Sequence, residues 1–163
     1  MFVRTAGERD LAAVRALLIE TWHAATYDAI YGAARVTEIT DEWHSIAALK
    51  ARLTRPNSEF LLADDGKSIG GMAFAAATTD ARIVMLNQLY VHPAWQRQGI
   101  GQALLDEIEA SFPEARTLRV EVEEANAPAI AFYRSRGFLP AGNTADCGGA
   151  SGLPALVLEK AIG

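Results

Sequence analysis

Cysteine and positive charge are both scarce in this chain of 163 residues. The single cysteine, Cys147, cannot form an internal disulfide, and no cysteine-rich zinc site can be assembled, so we expect no metal. The formal net charge is −5 at pH 7. Because nucleic acids and anionic membranes bind basic surfaces, we expect neither as a partner.

Long apolar runs and linker-like stretches are also missing. No run is long enough to span a bilayer, and the first ten residues lack the apolar stretch of a signal peptide, so we expect a cytoplasmic protein. No repeat, low-complexity block or Pro/Gly/Ser-rich linker divides the chain. Since 50% of the residues are hydrophobic and 21% are charged, the composition is that of a globular protein. We therefore expect one domain, residues 1–163.

The spacing of apolar residues predicts a succession of strands and helices. The expected strands are residues 2–4, 59–63, 69–77, 82–91, 118–123 and 155–160, and the expected helices lie in residues 11–22 and 41–53, from near Gly99 onward, and in 126–136. The glycine-rich segment 141–152 predicts a loop. Four apolar side chains of strand 82–91 should share one face, interrupted by Asn87: Ile83, Met85, Leu89 and Val91. The order β-α-α-β-β-β-α-β-α-β-β, which includes a seventh strand between the helix in 126–136 and strand 155–160, indicates a mixed, mostly antiparallel α/β sheet with helices on both faces.

A glycine pair at the start of one predicted helix carries the first chemical signal. Gly99 and Gly101 follow strand 82–91 and a polar loop. Glycine lets the backbone approach a ligand closely, and the first N–H groups of a helix have no partner within it. Together with the positive end of the helix dipole they form an anion site, to which Arg97 adds a mobile positive charge. A diphosphate is the natural ligand for such a site.

Two other nucleotide-binding motifs fit this segment less well. A Walker A loop needs Lys and then Ser or Thr after the second glycine, where this chain has Gln102 and Ala103. A dinucleotide-binding motif needs a third glycine where Leu104 stands, although Glu121 falls about 20 residues further on, as that motif requires. Glu121, however, lies inside an alternating strand. A nucleotide-dependent reductase is therefore a distant alternative.

Two blocks of residues within 86–138 together resemble a known family. The first block follows the strand end Leu89-Tyr90-Val91 and consists of Gln96-x-x-Gly99-x-Gly101. The second block is Asn126-x-x-Ala129-x-x-x-Tyr133, followed by Gly137-Phe138. In order and spacing the pair resembles the signatures of the GCN5-related N-acetyltransferase (GNAT) family.

The resemblance implies a GNAT-like fold, with acetyl-CoA as co-substrate and direct acetyl transfer to an amine. It implies that backbone N–H groups hold the pyrophosphate, in the segment Gln96, Arg97, Gln98, Gly99, Ile100, Gly101 and Gln102. The backbone of the strand end would pair with the pantetheine arm, where the family's two central strands diverge: Leu89, Tyr90 and Val91. Asn126 would hydrogen-bond the arm, and the hydroxyl of Tyr133 would point at the thioester sulfur.

The chemistry of Tyr133 also follows from the reaction itself. When an amine attacks a thioester, the leaving thiolate has a conjugate acid with a pKa of about 8.5. A tyrosine with a pKa of about 10 can give it a proton or a hydrogen bond, which is typically worth ~10²–10⁴-fold in rate. The alternative is an aromatic side chain that only packs. Its register with Asn126 favours the catalytic role.

The sequence does not identify the base that must deprotonate the amine. No acidic residue lies in strand 82–91, where many relatives carry a glutamate. The candidates are Glu121, Glu123, His92, or a water held by Asn87 or Gln88. For the two glutamates, the solvated face of an amphipathic strand is an equally good interpretation.

The acceptor is expected at the first two helices, as a primary amine of a small molecule or peptide. This region is unusually rich in aromatic and histidine side chains: Trp22, His23, Tyr27, Tyr31, Trp43 and His44. A non-catalytic acyl-CoA-binding or sensor domain is the alternative, which the lack of a glutamate in strand 82–91 favours and Tyr133 argues against. The sequence leaves a homodimer open, and Cys147 is interpreted as incidental.

Overall fold

A mixed, mostly antiparallel sheet forms the centre of the fold. The computed structural model describes residues 1–147 and 152–163. Over these residues the strands are β1 Phe2–Thr5, β2 Ser58–Asp64, β3 Ile69–Ala77, β4 Ile83–Val91, β5 Thr117–Glu123, β6 Leu139–Thr144 and β7 Ala155–Ala161. Their order in the sheet is β1-β2-β3-β4-β5-β7-β6. Only β4 and β5 run parallel in this described sheet, so the predicted sheet type is confirmed.

Helices cover both faces of the sheet, as predicted. The α-helices of the described chain are α1 Leu11–Trp22, α2 Ala25–Tyr31, α3 Ala33–Trp43, α4 Ile46–Leu53, α5 Ile100–Ser111 and α6 Ala127–Ser135. Short 3-10 helices precede α1 at Glu8–Asp10 and follow β4 at Pro93–Trp95. None of the helices in the described residues combines the length and the apolar character needed to cross a membrane.

Two hydrophobic cores lie on opposite faces of the sheet. On one face, α5 buries Ile100, Leu104 and Ile108 against β2, β3 and β4. On the other face, α1, α3 and α4 bury apolar side chains against β2 and β3, including Leu18 and Leu49. We call these the α5 core and the α1 core. The sheet therefore separates two layers, and its central strands reach both.

The segment between β1 and β2 forms four α-helices where the sequence predicted two. Gly32 adopts φ 83°, a left-handed conformation that suits glycine, and so separates α2 from α3. The helix predicted at 41–53 is also divided, because Ser45 begins α4 by accepting a hydrogen bond from the N–H of Ala48 at 3.1 Å. Residues 41–43 are instead the end of α3. The extra breaks fold this segment over the sheet face that carries the α1 core.

A β-bulge in β4 changes which side chains face each core. Phe74 of β3 lies opposite Gln88, whereas the next residue of β3, Ala75, lies opposite Leu86. Asn87 is therefore the extra residue, and it shifts the alternation by one. Before the bulge the α5 core receives Val84, and after it Leu89 and Val91 pack there. The prediction that Ile83 and Met85 share a face with Leu89 and Val91 is therefore wrong.

Part of the segment predicted as a loop is an edge strand. Residues 141–144 belong to β6, which pairs antiparallel with β7 from Leu139↔Glu159 to Thr144↔Ala155. The register of β6 against β7 shifts between Pro140 and Gly142. Proline and glycine are tolerated in a strand at the exposed edge of a sheet. Residues 148–151 of the predicted loop lie outside the described residues. The small residues of this segment predicted a loop, but they form a strand because β7 supplies their hydrogen-bond partners.

Candidate active site

The two parallel strands at the centre of the sheet diverge toward their carboxyl ends. β4 and β5 pair only from Ile83↔Thr117 to Leu86↔Val120 in the described structure. Each strand continues beyond this point, since β4 still pairs with β3 at Val91 and β5 still pairs with β7 at Glu123. A cavity of about 590 Å³ opens at the divergence, lined by residues of β3, β4, β5, α6 and the helical segment α1–α4. The sheet is thus open along one edge of β4.

The loop and first turn of α5 lie beyond the end of β4. Gly99 is the N-cap of α5 with φ 79°, and a Cβ placed there would meet nothing within 4 Å. The first intrahelical donor is Ala103, whose N–H bonds the carbonyl of Gly99 at 3.0 Å. The preceding N–H groups, from Ile100 to Gln102, therefore have no intrahelical partner. Arg97 is also left-handed, with φ 62°. The first turn therefore has the unpaired donors and the open space that an anion site would require, and the anion site stays a prediction.

The other residues of this segment hold the loop in place. The side chain of Gln96 donates to the carbonyl of Val91 at 3.1 Å, which ties the loop to the end of β4. The side chain of Gln102 donates to Asp106 one turn further along α5. A Cβ on Gly101 would meet the ring of Phe132 at 3.3 Å, so glycine here allows α5 and α6 to approach closely. Four residues of the segment Gln96–Gln102 are exposed: Gln96, Arg97, Gln98 and Gly99.

Leu89 and Tyr90 line the cavity, but they point to different cores. Leu89 packs on the α5 core, as does Val91, which is not part of the cavity wall. Tyr90 packs on the α1 core. The bulge at Asn87 brings about this arrangement, because it resets the alternation just before the open edge.

Asn126 and Tyr133 of the second block both line the cavity. Asn126 is 3% exposed and is the N-cap of α6, accepting a hydrogen bond from Ala129 N–H at 3.3 Å. Its amide also donates to the hydroxyl of Tyr27 at 3.4 Å. Asn126 thus begins α6, which confirms the helix predicted in residues 126–136.

Tyr133 is 7% exposed, and its ring packs edge-on against Phe132 and Phe138, with centroid distances of 5.3 and 5.2 Å. Its hydroxyl forms no hydrogen bond with any part of the described chain. Burial, and then the negative charge of Glu123, raise the pKa of Tyr133 well above its ordinary value. The hydroxyl therefore carries its proton at neutral pH and can act as a donor inside the cavity.

Glu123 is buried at the cavity wall and is not on a solvated strand face. It is 7% exposed and accepts a hydrogen bond from the hydroxyl of Tyr31 at 2.8 Å. Its charge also contributes to raising the pKa of Cys147, after burial. Glu121 lines the same cavity and is half-buried. The carboxylates of β5 therefore border the cavity, beside the buried Val120 and Val122 that also line it.

The other candidate bases lie in different surroundings. His92 is not among the residues that line the cavity. Its Nδ1 accepts from Ala94 N–H at 3.1 Å, so its Nε2 carries a proton and donates to Glu20 at 2.6 Å. Asn87 and Gln88 both line the cavity, and the side-chain oxygen of Gln88 is buried without a hydrogen-bond partner among the described residues.

Most of the aromatic cluster predicted for the acceptor side borders the cavity. Trp22 is its centre, with ring centroids 4.4 Å from Tyr27, 5.6 Å from Tyr31 and 5.3 Å from His44. Trp43 also lines the cavity, whereas His23 does not and instead lies 3.4 Å from Asp28. Burial, and then nearby arginines, lower the pKa of His44 to about 3, so this ring is neutral at physiological pH. These side chains belong both to the edge of the α1 core and to the cavity wall.

The sequence matches a family model over a range that spans both motif blocks. Residues 16–138 match the model of the acetyltransferase (GNAT) family. The chain belongs to the GNAT family. The order of the two blocks, the divergent strands and the open α5 N-terminus all lie within the matched residues, so the family resemblance stated from the motifs is confirmed.

Curated N-acetyltransferases are similar to about half of the chain. The chain is 40% identical over 81 residues to the ribosomal protein bS18-alanine N-acetyltransferase of Escherichia coli (strain K12). These 81 residues cover 48% of this chain and 53% of that protein. It is 33% identical over 75 residues to the peptidyl-lysine N-acetyltransferase YiaC of the same organism, 46% of this chain and 45% of that protein. The chain thus spans about half the length of the curated relatives it matches.

Solved GNAT structures share the fold of the whole chain. The PaiA N-acetyltransferase of Thermoplasma acidophilum, solved in complex with coenzyme A, has a TM-score of 0.87 at 23% identity and covers 98% of both chains. The bS18-alanine N-acetyltransferase structure from Escherichia coli has a TM-score of 0.71 at 21% identity, covering 99% of this chain and 93% of that one. These likenesses establish the GNAT fold for this chain.

Sequence reasoning missed two arginines of this GNAT chain that line the cavity. Arg52 of α4 and Arg55 lie beside the ring of Phe74, with guanidinium carbons 5.9 and 5.8 Å from its centroid. Arg52 donates to the carbonyl of Trp43 at 3.0 Å. Both residues precede Pro56 at the end of a helix, where a basic side chain usually only favours the helix dipole. No sequence signal distinguished them from that ordinary role.

Proposed function

We propose that this protein is an acetyl-CoA-dependent N-acetyltransferase that moves an acetyl group directly to a primary amine of a small molecule or peptide. The observation that carries the proposal is one continuous arrangement. The open N-terminus of α5 lies beyond the end of β4, the divergence of β4 and β5 begins at Leu86 and Val120, and Tyr133 lies inside the cavity there. Acetyl-CoA has a diphosphate, a long amide-containing arm and a thioester. An anion site would bind the diphosphate, an open strand edge would bind the arm, and a proton donor would serve the thioester sulfur.

The residues present fit acetyl-CoA in chemistry. The N–H groups from Ile100 to Gln102 and the open space above Gly99 would receive the diphosphate, with Arg97 adding positive charge. The open edge of β4 would offer the backbone groups of Leu89 to Val91 to the amide-containing arm, as an added strand would use them. Asn126 would hydrogen-bond the arm beside them.

Tyr133 would act as the proton donor to the sulfur. The thioester supplies an activated acetyl group, and the amine nitrogen forms a bond to its carbonyl carbon while the carbon–sulfur bond breaks. The leaving thiolate then needs a proton or a strong hydrogen bond. The pKa of Tyr133 is raised, so the hydroxyl is protonated when the thiolate forms and can donate a hydrogen bond to it, although the raised pKa makes complete proton transfer less favourable. The edge-on contacts with two other rings hold the Tyr133 ring in place.

Glu123 would remove the proton from the incoming amine. Alkyl ammonium groups have a pKa of about 10.4, so a base must act before or during attack. Glu123 is buried at the same cavity as Tyr133, and the Tyr31 hydroxyl holds its carboxylate in place. Glu121 lies on the same side of β5 and is the competing candidate.

The names of the curated relatives support a primary amine as acceptor. One is named for an alanine of a ribosomal protein and the other for a peptidyl lysine, and each of these acceptors is an amine. Action in the cytoplasm and a homodimeric state stay predictions from the sequence.

The reaction is tested by incubating the protein with acetyl-CoA and a panel of amines. The panel contains small amines, amino acids, alanine-terminated peptides and lysine peptides. Thiol release and the mass of the N-acetylated product are measured together. We expect amine-dependent thiol release with matching acetylated product. If the protein binds CoA tightly but acetylates no amine, the proposed enzyme activity is wrong and the protein is an acyl-CoA-binding or sensor domain.

A further inference from the structure

The cavity carries opposite charges on two of its walls. Glu121 and Glu123 are on β5, and both side chains border the cavity. Arg52 and Arg55 border it next to Phe74 of β3. β4 lies between these two strands in the sheet. Neighbouring strands are about 4.8 Å apart, so the strand of Phe74 and the strand of the two glutamates are on the order of 10 Å apart where the strands pair, and the divergence of β4 and β5 widens that separation.

The positive wall has no counter-ion in the described structure. Arg52 is half-buried and donates one hydrogen bond, to the carbonyl of Trp43, while its Nη1 is buried without a partner among the described residues. Neither Arg52 nor Arg55 forms an ion pair within residues 1–147 and 152–163. The pKa of Arg52 is lowered, first by burial, and Arg55 adds to the effect. A partly buried positive charge without a partner is costly, and an anion supplied by a ligand removes that cost.

The middle of the cavity holds an unused hydrogen-bond acceptor. The side-chain oxygen of Gln88 on β4 is buried and has no partner among the described residues. Gln88 lies opposite Phe74, between the arginine wall and the glutamate wall. His44, on the same side, is neutral because its pKa is lowered to about 3, so it does not add to the positive charge. The arginines are therefore the cationic groups of this wall in the described structure.

We propose that the acceptor amine carries a carboxylate, which binds Arg52 and Arg55 while the amine faces Glu123 and Tyr133. This inference rests on the proposed N-acetyltransferase function and names its substrate class, a small amino carboxylate. The guanidinium group of arginine matches the geometry of a carboxylate with two parallel hydrogen bonds. Binding of the carboxylate to the arginines and of the amine near Glu123 orients the substrate. It also gives each charged wall of the cavity a counter-charge. A polycationic amine meets repulsion from the same arginines.

The test compares amines that differ only in that carboxylate. The matched substrates are glycine, β-alanine, 4-aminobutyrate and 5-aminopentanoate, each beside its neutral carboxamide. The value of kcat/KM for each amine is measured by thiol release at saturating acetyl-CoA. We expect at least one carboxylate in the series to exceed its amide by tenfold or more. Values within threefold for every pair, with transfer itself intact, overturn the inference and leave the proposed function standing.

Two variants connect the preference to the arginines. In Arg52→Gln and Arg55→Gln we expect the carboxylate preference to fall at least tenfold, through KM for the amine, while KM for acetyl-CoA is unchanged. Arg55 is exposed, so its variant stays folded even if Arg52→Gln is unstable. Arg9→Gln is the matched control, since Arg9 is exposed and outside the cavity. A preference that survives in both cavity variants overturns the inference.

A binding measurement separates this inference from the reaction. The amino carboxylates and their amides are titrated calorimetrically into the protein saturated with CoA. Carboxylate-selective binding that Arg55→Gln weakens supports the inference even if no amine is acetylated, in which case the proposed function fails alone. Absence of carboxylate-selective binding and of selective turnover overturns it.

Discussion

Replacing Tyr133 by Phe removes one hydroxyl and leaves the ring in place. The ring keeps its edge-on contacts with Phe132 and Phe138, at 5.3 and 5.2 Å. The hydroxyl has no hydrogen-bond partner among the described residues, so its loss leaves no buried group of the described chain unsatisfied. We therefore expect the free energy of unfolding to change by less than about 1 kcal/mol. The affinity for CoA should be nearly unchanged.

The chemical step should respond very differently from stability. A proton donor to a leaving group is typically worth ~10²–10⁴-fold, so the rate of acetyl transfer should fall by that factor. This loss corresponds to about 3–5 kcal/mol of transition-state stabilisation. The assay is single-turnover thiol release at saturating acetyl-CoA and amine, which separates chemistry from product release.

Tyr27→Phe is the matched control for this experiment. Tyr27 is another cavity tyrosine, its hydroxyl accepts a hydrogen bond from Asn126, and burial raises its pKa as it does for Tyr133. Its replacement should lower the single-turnover rate by less than tenfold. If Tyr133→Phe transfers acetyl as fast as the wild type in a single turnover, Tyr133 is a packing residue and the reasoning about the leaving group is wrong.

Two further predictions concern titratable groups of the cavity. Glu123→Gln should lower kcat/KM by ~10²–10⁴-fold at neutral pH, and by less at high pH, where the amine loses its proton unaided. Glu121→Gln should lower kcat/KM by less than tenfold. If the thiol-release assay gives the reverse ranking, Glu121 is the base. His44 is neutral when folded because its pKa is lowered from 6.5 to about 3, so the unfolded chain binds the additional proton and stability falls as the pH drops below 6.5. Between pH 7.5 and pH 5 this amounts to about 2 kcal/mol in urea unfolding, a loss that His44→Gln should lack; an equal loss in the variant contradicts the buried neutral histidine.

The local structure of the proposed cofactor half of the site was predictable because local sequence determines it. Gly99 has to adopt a left-handed conformation at the start of α5, and Gly101 has to admit the ring of Phe132, so both are recorded in the sequence as glycine. Asn126 caps α6, and that capping role follows from its position at the start of a helix. Spacing along two helices was therefore enough to identify these residues.

The proposed acceptor half of the site depends on contacts between residues far apart in the sequence. Glu123 looks like a solvated residue in an alternating strand, but Tyr31 and the rest of the helical segment cover it. Arg52 becomes part of the cavity only because α4 packs over Phe74. No periodicity within one element records such packing.

Two errors in the strands have the same cause. The bulge at Asn87 is defined by the register of β3 against β4, and the strand β6 by pairing with β7. Both depend on a neighbouring strand, because hydrogen bonding across the sheet can override weak local preferences such as those of Pro140 and Gly142. The positions of the other strands followed from local alternation and were confirmed.

The most direct test of the account is a titration of CoA into the wild type and Gly99→Glu. In the wild type, CoA and acetyl-CoA at 100 times the dissociation constant should add about 2.7 kcal/mol to the free energy of unfolding, whereas ATP and NAD should add none. Gly99→Glu places a side chain and a negative charge in the open space above the α5 N-terminus and should abolish CoA binding.

Gly66→Glu is the matched control, since Gly66 also has a positive φ, 93°, with nothing within 4 Å of an added Cβ, but lies in the turn between β2 and β3. It should bear the same backbone strain and bind CoA as the wild type does. The account predicts full CoA affinity in Gly66→Glu and none in a folded Gly99→Glu. Unchanged CoA affinity in folded Gly99→Glu contradicts it.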